Sequence, residues 1–449
     1  MRIQMWLHAL EIGTMRWLSH PLFQLTLGLC LIAPAGAVLA AQEAELRALA
    51  LGQRESLRVQ PGVAAARSVA FEAVELRAPG ARTWVVSGGH QTPLAADSAR
   101  FYLGEDADGA RWGLLYRDGV WTAASHSSGT LVEFDVHWEG DLARLTARLE
   151  APSEPLHSEC GSDAQMALES GMELPVRLPP LANLLPLAPA GVTGTATLAV
   201  DTDNEWLFRR FANNTTQASA WVDQMIMEMN VVYERDLSLR VLRGTTFLRV
   251  DPDVPPTFND DPFNNTDSPA SSAQLNEFGN YWQNNQSAVP RAFALLLSGK
   301  SSSGFSASGI AWLDRYCDNN VSGGASYSIN QAFWNSGVSI GSSLRIIAHE
   351  LGHNLGSAHT HCYSPPVDQC YRAESGCYSG SVSCPGAGPG TLMSYCNFGA
   401  PNGANCGSNQ LVFHPTVITR IGQSIAANTP ACIVPLGGGG NEIFANGFE

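Results

Sequence analysis

Two hydrophobic periods divide this chain. Between residue 42 and about 170 the apolar positions recur with the period of a strand. Leu131-Val132-Glu133-Phe134-Asp135-Val136-His137-Trp138 alternates with period two. Arg82-Thr83-Trp84-Val85-Val86 runs into a Gly-Gly turn, and Arg111-Trp112-Gly113-Leu114-Leu115-Tyr116 into Asp118-Gly119, a hairpin signal. This stretch reads as a separate β-rich unit without an obvious set of catalytic residues. From Thr195 the pattern changes. Thr195–Asp201 reads as a buried strand, and Val222, Met225, Met229 and Val232 mark a helix. Leu237–Val241 is a second strand, Leu275, Phe278 and Trp282 mark another helix, and Ala292–Leu297 is a third strand. Strands alternating with helices predict an α/β sandwich around a mixed sheet. Gly309-Ile310-Ala311-Trp312-Leu313 is expected at the sheet edge, where an extended peptide can add as a further strand.

Leu344, Ile347, Leu351 and Leu355 return to helical spacing, with Ser342 or Ser343 as the expected N-cap. From His361 to Cys406 there is little periodicity and much Gly, Ser, Pro and Cys, so disulfides are expected to replace a core. Thr416–Ala426 is the expected closing helix. Residues 174–190 are proline-rich and read as a cleavable linker. Gly437–Gly440 is a flexible linker before a short amphipathic tail, residues 441–449.

The chemistry concentrates in His349-Glu350-Leu351-Gly352-His353-Asn354-Leu355-Gly356-Ser357-Ala358-His359. On a helix, His349 and His353 share a face one turn apart and can reach one metal ion. Glu350, beside the first ligand, is placed to hold a water without binding the metal. Gly356 is the natural helix stop, because glycine tolerates the left-handed conformation there. The chain can then return His359 as a third nitrogen ligand. Three protein ligands leave one tetrahedral zinc position open, as in catalytic zinc sites. His361 and His414 lack the spacing and read as surface or structural residues.

The first forty residues carry Arg2 and Arg16, an apolar run from Leu22 to Leu39, and small residues at Val38-Leu39-Ala40. That reads as a signal peptide cut near Ala40 or Ala41, and hence as an exported chain without a stable membrane anchor. Of ten cysteines, Cys30 lies in the leader and eight fall from Cys317 onward, enough for four disulfides. Cys160 is the odd one. The 449 residues suffice for two or more domains, and a net charge of −15 argues against nucleic acid as a partner. Asp-rich loops between 251 and 270 are compatible with calcium, for which no ligands are assignable.

The zinc motif with its added Gly356 and His359 resembles the metzincin metallopeptidases. Gly390-Thr391-Leu392-Met393-Ser394-Tyr395-Cys396 is similar to the family's methionine turn, with Met393 as the turn methionine. The resemblance covers about 195–432, and its cysteine-rich lower half is most similar to the adamalysin, or reprolysin, group. Those enzymes usually carry Asp directly after the third histidine; here it is Thr360. The resemblance implies a zinc endopeptidase with Glu350 as general base, protein or peptide substrates and a monomeric state. It further implies that Tyr395 donates to the oxyanion, as in astacins and serralysins. In His157-Ser158-Glu159-Cys160-Gly161, Cys160 resembles the cysteine switch of matrixins and adamalysins, although its flanking residues match neither consensus. The expected division is a leader (1–40), a β-rich prodomain with linker (41–190), a catalytic domain (195–432) and a tail (433–449). An inactive zinc-holding binding protein of the same fold is the alternative; such proteins tend to lose the base, and Glu350 is present.

Overall fold

The computed structural model describes residues 41–148, 156–161, 173–177, 191–386 and 388–436. The expected leader, residues 178–190 of the linker and the tail from Gly437 lie outside the described residues. Helix α1 (Ala41–Ala48) precedes nine strands: β1 (Arg54–Pro61), β2 (Arg67–Val74), β3 (Thr83–Ser87), β4 (His90–Pro93), β5 (Arg100–Asp106), β6 (Arg111–Arg117), β7 (Val120–Ser127), β8 (Thr130–Glu139) and β9 (Leu142–Ala147). Seven of them, all but β3 and β4, close into a barrel around Phe71, Tyr102, Trp112, Trp121 and Leu145. Period-two alternation closes a barrel in this way because one side of every strand is committed to the interior.

The second unit is mixed α/β. It contains β10 (His157–Cys160), β11 (Val176–Arg177), β12 (Gly194–Thr202), α2 (Asn204–Phe211), α3 (Thr215–Leu237), β13 (Leu239–Arg249), α4 (Ser272–Asn285), β14 (Phe293–Ser298), β15 (Ser306–Ala311) and β16 (Tyr327–Gln331). Then come α5 (Ile340–Asn354), β17 (Tyr363–Ser364), α6 (Pro415–Ala427) and β18 (Val434–Pro435). The large sheet has the order β10-β15-β16-β14-β12-β13-β3-β4, with β18 added to β12. Its centre is parallel, and β14 is buried at every residue, as its continuous apolar run requires. β15 runs antiparallel to β16.

The hairpin β3–β4 departs from the expected separation of the units. It leaves the barrel and extends the large sheet, β3 lying parallel to β13 with Thr83 opposite Thr246. At the opposite edge, β10 lies parallel to β15, with Cys160 opposite Gly309. The strand expected to form an open edge is therefore covered on its outer side. Segments N-terminal to β12 thus occupy both ends of the sheet.

Helix α3 explains why the two units pack so closely. Asn214 caps it, its side chain accepting from the Gln217 N–H at 3.0 Å. Residues on all its faces are buried, because it lies between the sheet and the barrel. On the sheet side the Asn230 amide exchanges two hydrogen bonds with the Val241 backbone, at 2.7 and 2.8 Å. On the barrel side Gly113 admits Met227 and Val231; a Cβ there would lie 3.0 and 3.1 Å from them. The hydrophobic core joins Phe101, Leu103 and Leu115 of the barrel to Met227, Leu344 and Leu351 of the second unit.

A charged cluster crosses the same interface. Asp223 of α3 accepts from Arg243 at 2.7 Å, and from Arg77 and Arg117 of the barrel unit. Asp97 accepts from the same two barrel arginines, at 2.7 and 2.6 Å. Asp223 is fully buried, so three guanidinium groups depend on a carboxylate that water does not reach. Asp223→Ala is expected to destabilise the full chain by about 3–5 kcal/mol, the range for breaking a buried pair. Urea unfolding measures this; a loss below about 1 kcal/mol would show that the arginines find other partners.

Candidate metal centre

Helix α5 begins at Ser339, whose hydroxyl accepts from the Ser342 N–H at 3.0 Å. The cap falls three residues before the expected Ser342, because the barrel serves the first turn: the Gly341 N–H donates to Glu133 at 2.7 Å. Leu344, Ile347, Leu351 and Leu355 all lie in the core. The helix ends in a Schellman turn. Gly356 has φ of +101°, its N–H donates to His353 O at 2.9 Å, and the Ser357 N–H donates to Gly352 O at 3.0 Å. A side chain at Gly356 would also strike Asp314, 2.8 Å away. This turn sends the chain back so that His359 faces the helix.

Three ring nitrogens meet as a result. His349 Nε2 lies 3.1 Å from His353 Nε2 and 3.1 Å from His359 Nε2. Cys160 Sγ lies 3.7 Å from His353 Nε2. The opposite nitrogens decide the proton positions. His349 Nδ1 donates to Leu392 O and His353 Nδ1 to Ser357 O, both at 2.7 Å, and His359 Nδ1 is 3.1 Å from Glu374 Oε2. A backbone carbonyl only accepts, so in neutral rings the Nε2 atoms of His349 and His353 carry lone pairs. Lone pairs facing lone pairs at 3.1 Å need a cation between them. Two nitrogens on one tetrahedral zinc sit about 3.3 Å apart, and a nitrogen and a sulfur about 3.6 Å. The residues therefore fit zinc. Burial, followed by the neighbouring His359, pulls the His349 pKa down to about 3.

Around these nitrogens the remaining groups are tightly placed. Glu350 is fully buried and packs on Gly309 of β15, where a Cβ would lie 2.4 Å from Oε1. Burial, then the adjacent Glu350 carboxylate, raises the Cys160 thiol pKa well above its ordinary value. Met393 is buried under α5, its sulfur 2.6 Å from where a Cβ on Gly352 would stand. Its carbonyl accepts from the Thr360 N–H at 3.0 Å, tying the turn to the residue after His359. The Tyr395 ring lies 4.0 Å from the His359 ring. Its hydroxyl is bonded to the carbonyls of Cys160 and Gly161, at 2.9 and 3.0 Å.

His361 is buried rather than on the surface, and its Nε2 lies 2.8 Å from Glu374 Oε2. His414 caps α6, its Nδ1 accepting from the Thr416 N–H at 3.1 Å. Burial alone would raise the Glu374 carboxyl, but the two imidazoles outweigh it and hold the pKa well below the ordinary range. Sequence reasoning missed Glu374. It lies in an aperiodic stretch, and the disulfide Cys362–Cys377 brings that stretch under the histidines. The other bridges are Cys317–Cys432, Cys370–Cys396 and Cys384–Cys406, which leaves Cys160 free. In the Asp-rich loops, Asp251 and Asp261 accept from backbone N–H groups.

Residues 192–405 match the family model described as metallo-peptidase family M12, in its reprolysin branch. This segment is reprolysin-like. The disintegrin and metalloproteinase domain-containing protein B of Aspergillus fumigatus is 28% identical over 172 residues, 38% of this chain. Those residues span 21% of that relative, so the chain matches about a fifth of its length. The solved metalloproteinase-II from Bacteroides fragilis shares 12% identity over 71% of this chain and 85% of its own, at a TM-score of 0.31.

Within the reprolysin-like segment, Glu374 occupies the supporting place for the third imidazole. Groups that hold the far nitrogen of a ligating histidine are worth roughly 10–100-fold in metal affinity. Glu374→Ala is therefore expected to weaken zinc retention by that factor, read by competition with a chelator. Unchanged affinity would assign the carboxylate to His361 alone.

Proposed function

We propose that the chain is an exported zinc endopeptidase made as a zymogen. The observation that carries this reading is the convergence of three imidazole nitrogens on a point that the Cys160 thiol also faces. His349, His353 and His359 would hold the zinc. When bound, zinc supplies Lewis acidity, lowering the pKa of a water towards neutrality and polarising the peptide carbonyl. Glu350 accepts the proton of the attacking water and passes it to the leaving amine. Its burial against Gly309 holds the carboxylate in one orientation. Met393 and Gly356 are structural: one supports the helix from below, the other turns the chain to His359.

Residues 1–40 act as the leader, 41–190 as prodomain and linker, 195–432 as the catalytic domain and 433–449 as a tail. Cys160 would serve as the zymogen ligand, its thiolate taking the place of water at the zinc. Gly161 lets the backbone pass close to Ile310, where a Cβ would clash at 2.7 Å. Release of β10 frees two things at once. The outer edge of β15 becomes available to an extended substrate, and the Tyr395 hydroxyl becomes available to donate to the oxyanion. Four disulfides fit an oxidising compartment, and among the described residues no helix is long and apolar enough to cross a membrane. The presence of Glu350 argues against an inactive binding protein.

N-terminal sequencing of the secreted form, with casein hydrolysis measured with and without chelator, tests the whole scheme. Glu350→Ala should retain zinc while turnover falls by several orders of magnitude, since general base and acid roles are each worth roughly a hundred- to ten-thousand-fold. Near-normal turnover by the purified variant would rule out the mechanism. Uncut Cys160→Ser precursor should cleave a small peptide that the uncut parent leaves intact. Equal activity of the two uncut forms would remove the switch.

A further inference from the structure

A cavity of about 500 Å³ opens directly beside the histidine cluster. His349 and Cys160 are part of its lining, and Phe333, Ile346, Leu392 and Phe398 supply apolar walls. One lining residue does not match those walls. Arg345 lies four residues before His349, one turn away on the same helix face, about 6 Å along the axis. Its Nη1 is buried and has no hydrogen-bond partner. Among the described residues no carboxylate forms an ion pair with it. Burial, with no opposing charge, lowers its pKa. The more deeply buried Arg243 and Arg249 bond carboxylates directly, whereas Arg345 is half-buried and faces the cavity.

A guanidinium nitrogen buried without a partner is costly, because it has lost water and gained no hydrogen bond. The acid nearest in the cavity lining is Glu159 of β10; it is exposed and makes no ion pair with Arg345. His157, which also lines the cavity, is exposed as well. The guanidinium is thus presented to whatever enters the cavity.

Resting on the peptidase reading above, we propose that Arg345 selects substrates carrying a carboxylate next to the scissile bond. A carbonyl at the histidine cluster and a guanidinium one helix turn away are spanned by the side chain of an adjacent residue, since neighbouring Cα atoms are 3.8 Å apart. Aspartate or glutamate has that reach, and a guanidinium takes a carboxylate through two parallel hydrogen bonds. The apolar walls accept the methylene groups. A free C-terminal carboxylate offers the same chemistry. Arg345 would then contact substrate without taking part in proton transfer, as a specificity residue.

The test uses full-length protein cut at a protease site placed within residues 178–190. Peptides differ only in Asp, Glu, Asn or Gln on either side of one scissile bond, each with a free or amidated C-terminus. The acidic peptides should exceed their amides roughly ten- to a hundredfold in kcat/KM, the worth of one charge-assisted contact. Arg345→Gln should bring that ratio close to one, and Arg345→Lys should keep part of it. A preference that follows the free C-terminus instead assigns the carboxylate to the chain end. Binding of the same peptides to the cut, zinc-loaded Glu350→Ala protein gives a readout independent of turnover. Acid selectivity in binding without any hydrolysis by the parent would remove the peptidase reading and keep the role of Arg345. Equal treatment of acid and amide, or selectivity that survives in a folded, zinc-retaining Arg345→Gln protein, overturns the proposal.

Discussion

Three imidazole nitrogens brought to within about 3.1 Å of one another are the constraint on which this structure turns. Each is committed by a bond at the far side of its ring: His349 to Leu392 O, His353 to Ser357 O, His359 to Glu374. Those acceptors come from three different places. Ser357 belongs to the turn that ends α5, Leu392 to the turn carrying Met393, and Glu374 to a disulfide-tied loop. The helix supplies two nitrogens by its own period; everything else around them aims lone pairs at one point. Separated from those acceptors, the rings would be free to change tautomer, and the mutual repulsion would relax by rotation.

The parts of this site that could be read from the sequence are those set by local geometry. His349, His353, Gly356 and His359 lie within eleven residues, and helical spacing with one left-handed glycine relates them. Helices and strands with strong periodicity, such as Thr215–Leu237 and Phe293–Ser298, were equally accessible. Glu374 was not, because its place depends on the Cys362–Cys377 bridge rather than on any period. The placing of Thr83–Ser87 in the large sheet was also hidden. Alternation says that a strand has two faces, not which neighbour it pairs with. The N-cap at Ser339 escaped for a related reason: its first turn is completed by Glu133, a residue of another unit.

The relation of the two units bears on how the proposed prodomain would act: by release of β10 rather than by detachment of the whole unit. A detachable cover would meet its partner through a polar, hydrated surface. Here the two share a hydrophobic core, a continuous sheet and the Asp223 cluster. Helix α3 has no face suited to water. By contrast, β10 touches the histidine cluster through a few residues at the sheet edge, a far smaller contact.

The hairpin β3–β4 also orders events in time. Its residues leave the ribosome long before their partner strand, and Thr83 can pair only when Thr246 has arrived. β12 is closed by Val434 and Pro435, and Cys317 is bridged to Cys432, so the last described residues complete the middle of the sheet. Contacts so distant along the chain are slow to form, because loop closure precedes any gain from pairing. The barrel strands can zip locally during synthesis. The large sheet cannot, and until the C-terminal stretch emerges the apolar faces of α3 and β14 need a chaperone or a collapsed intermediate to keep them from other chains.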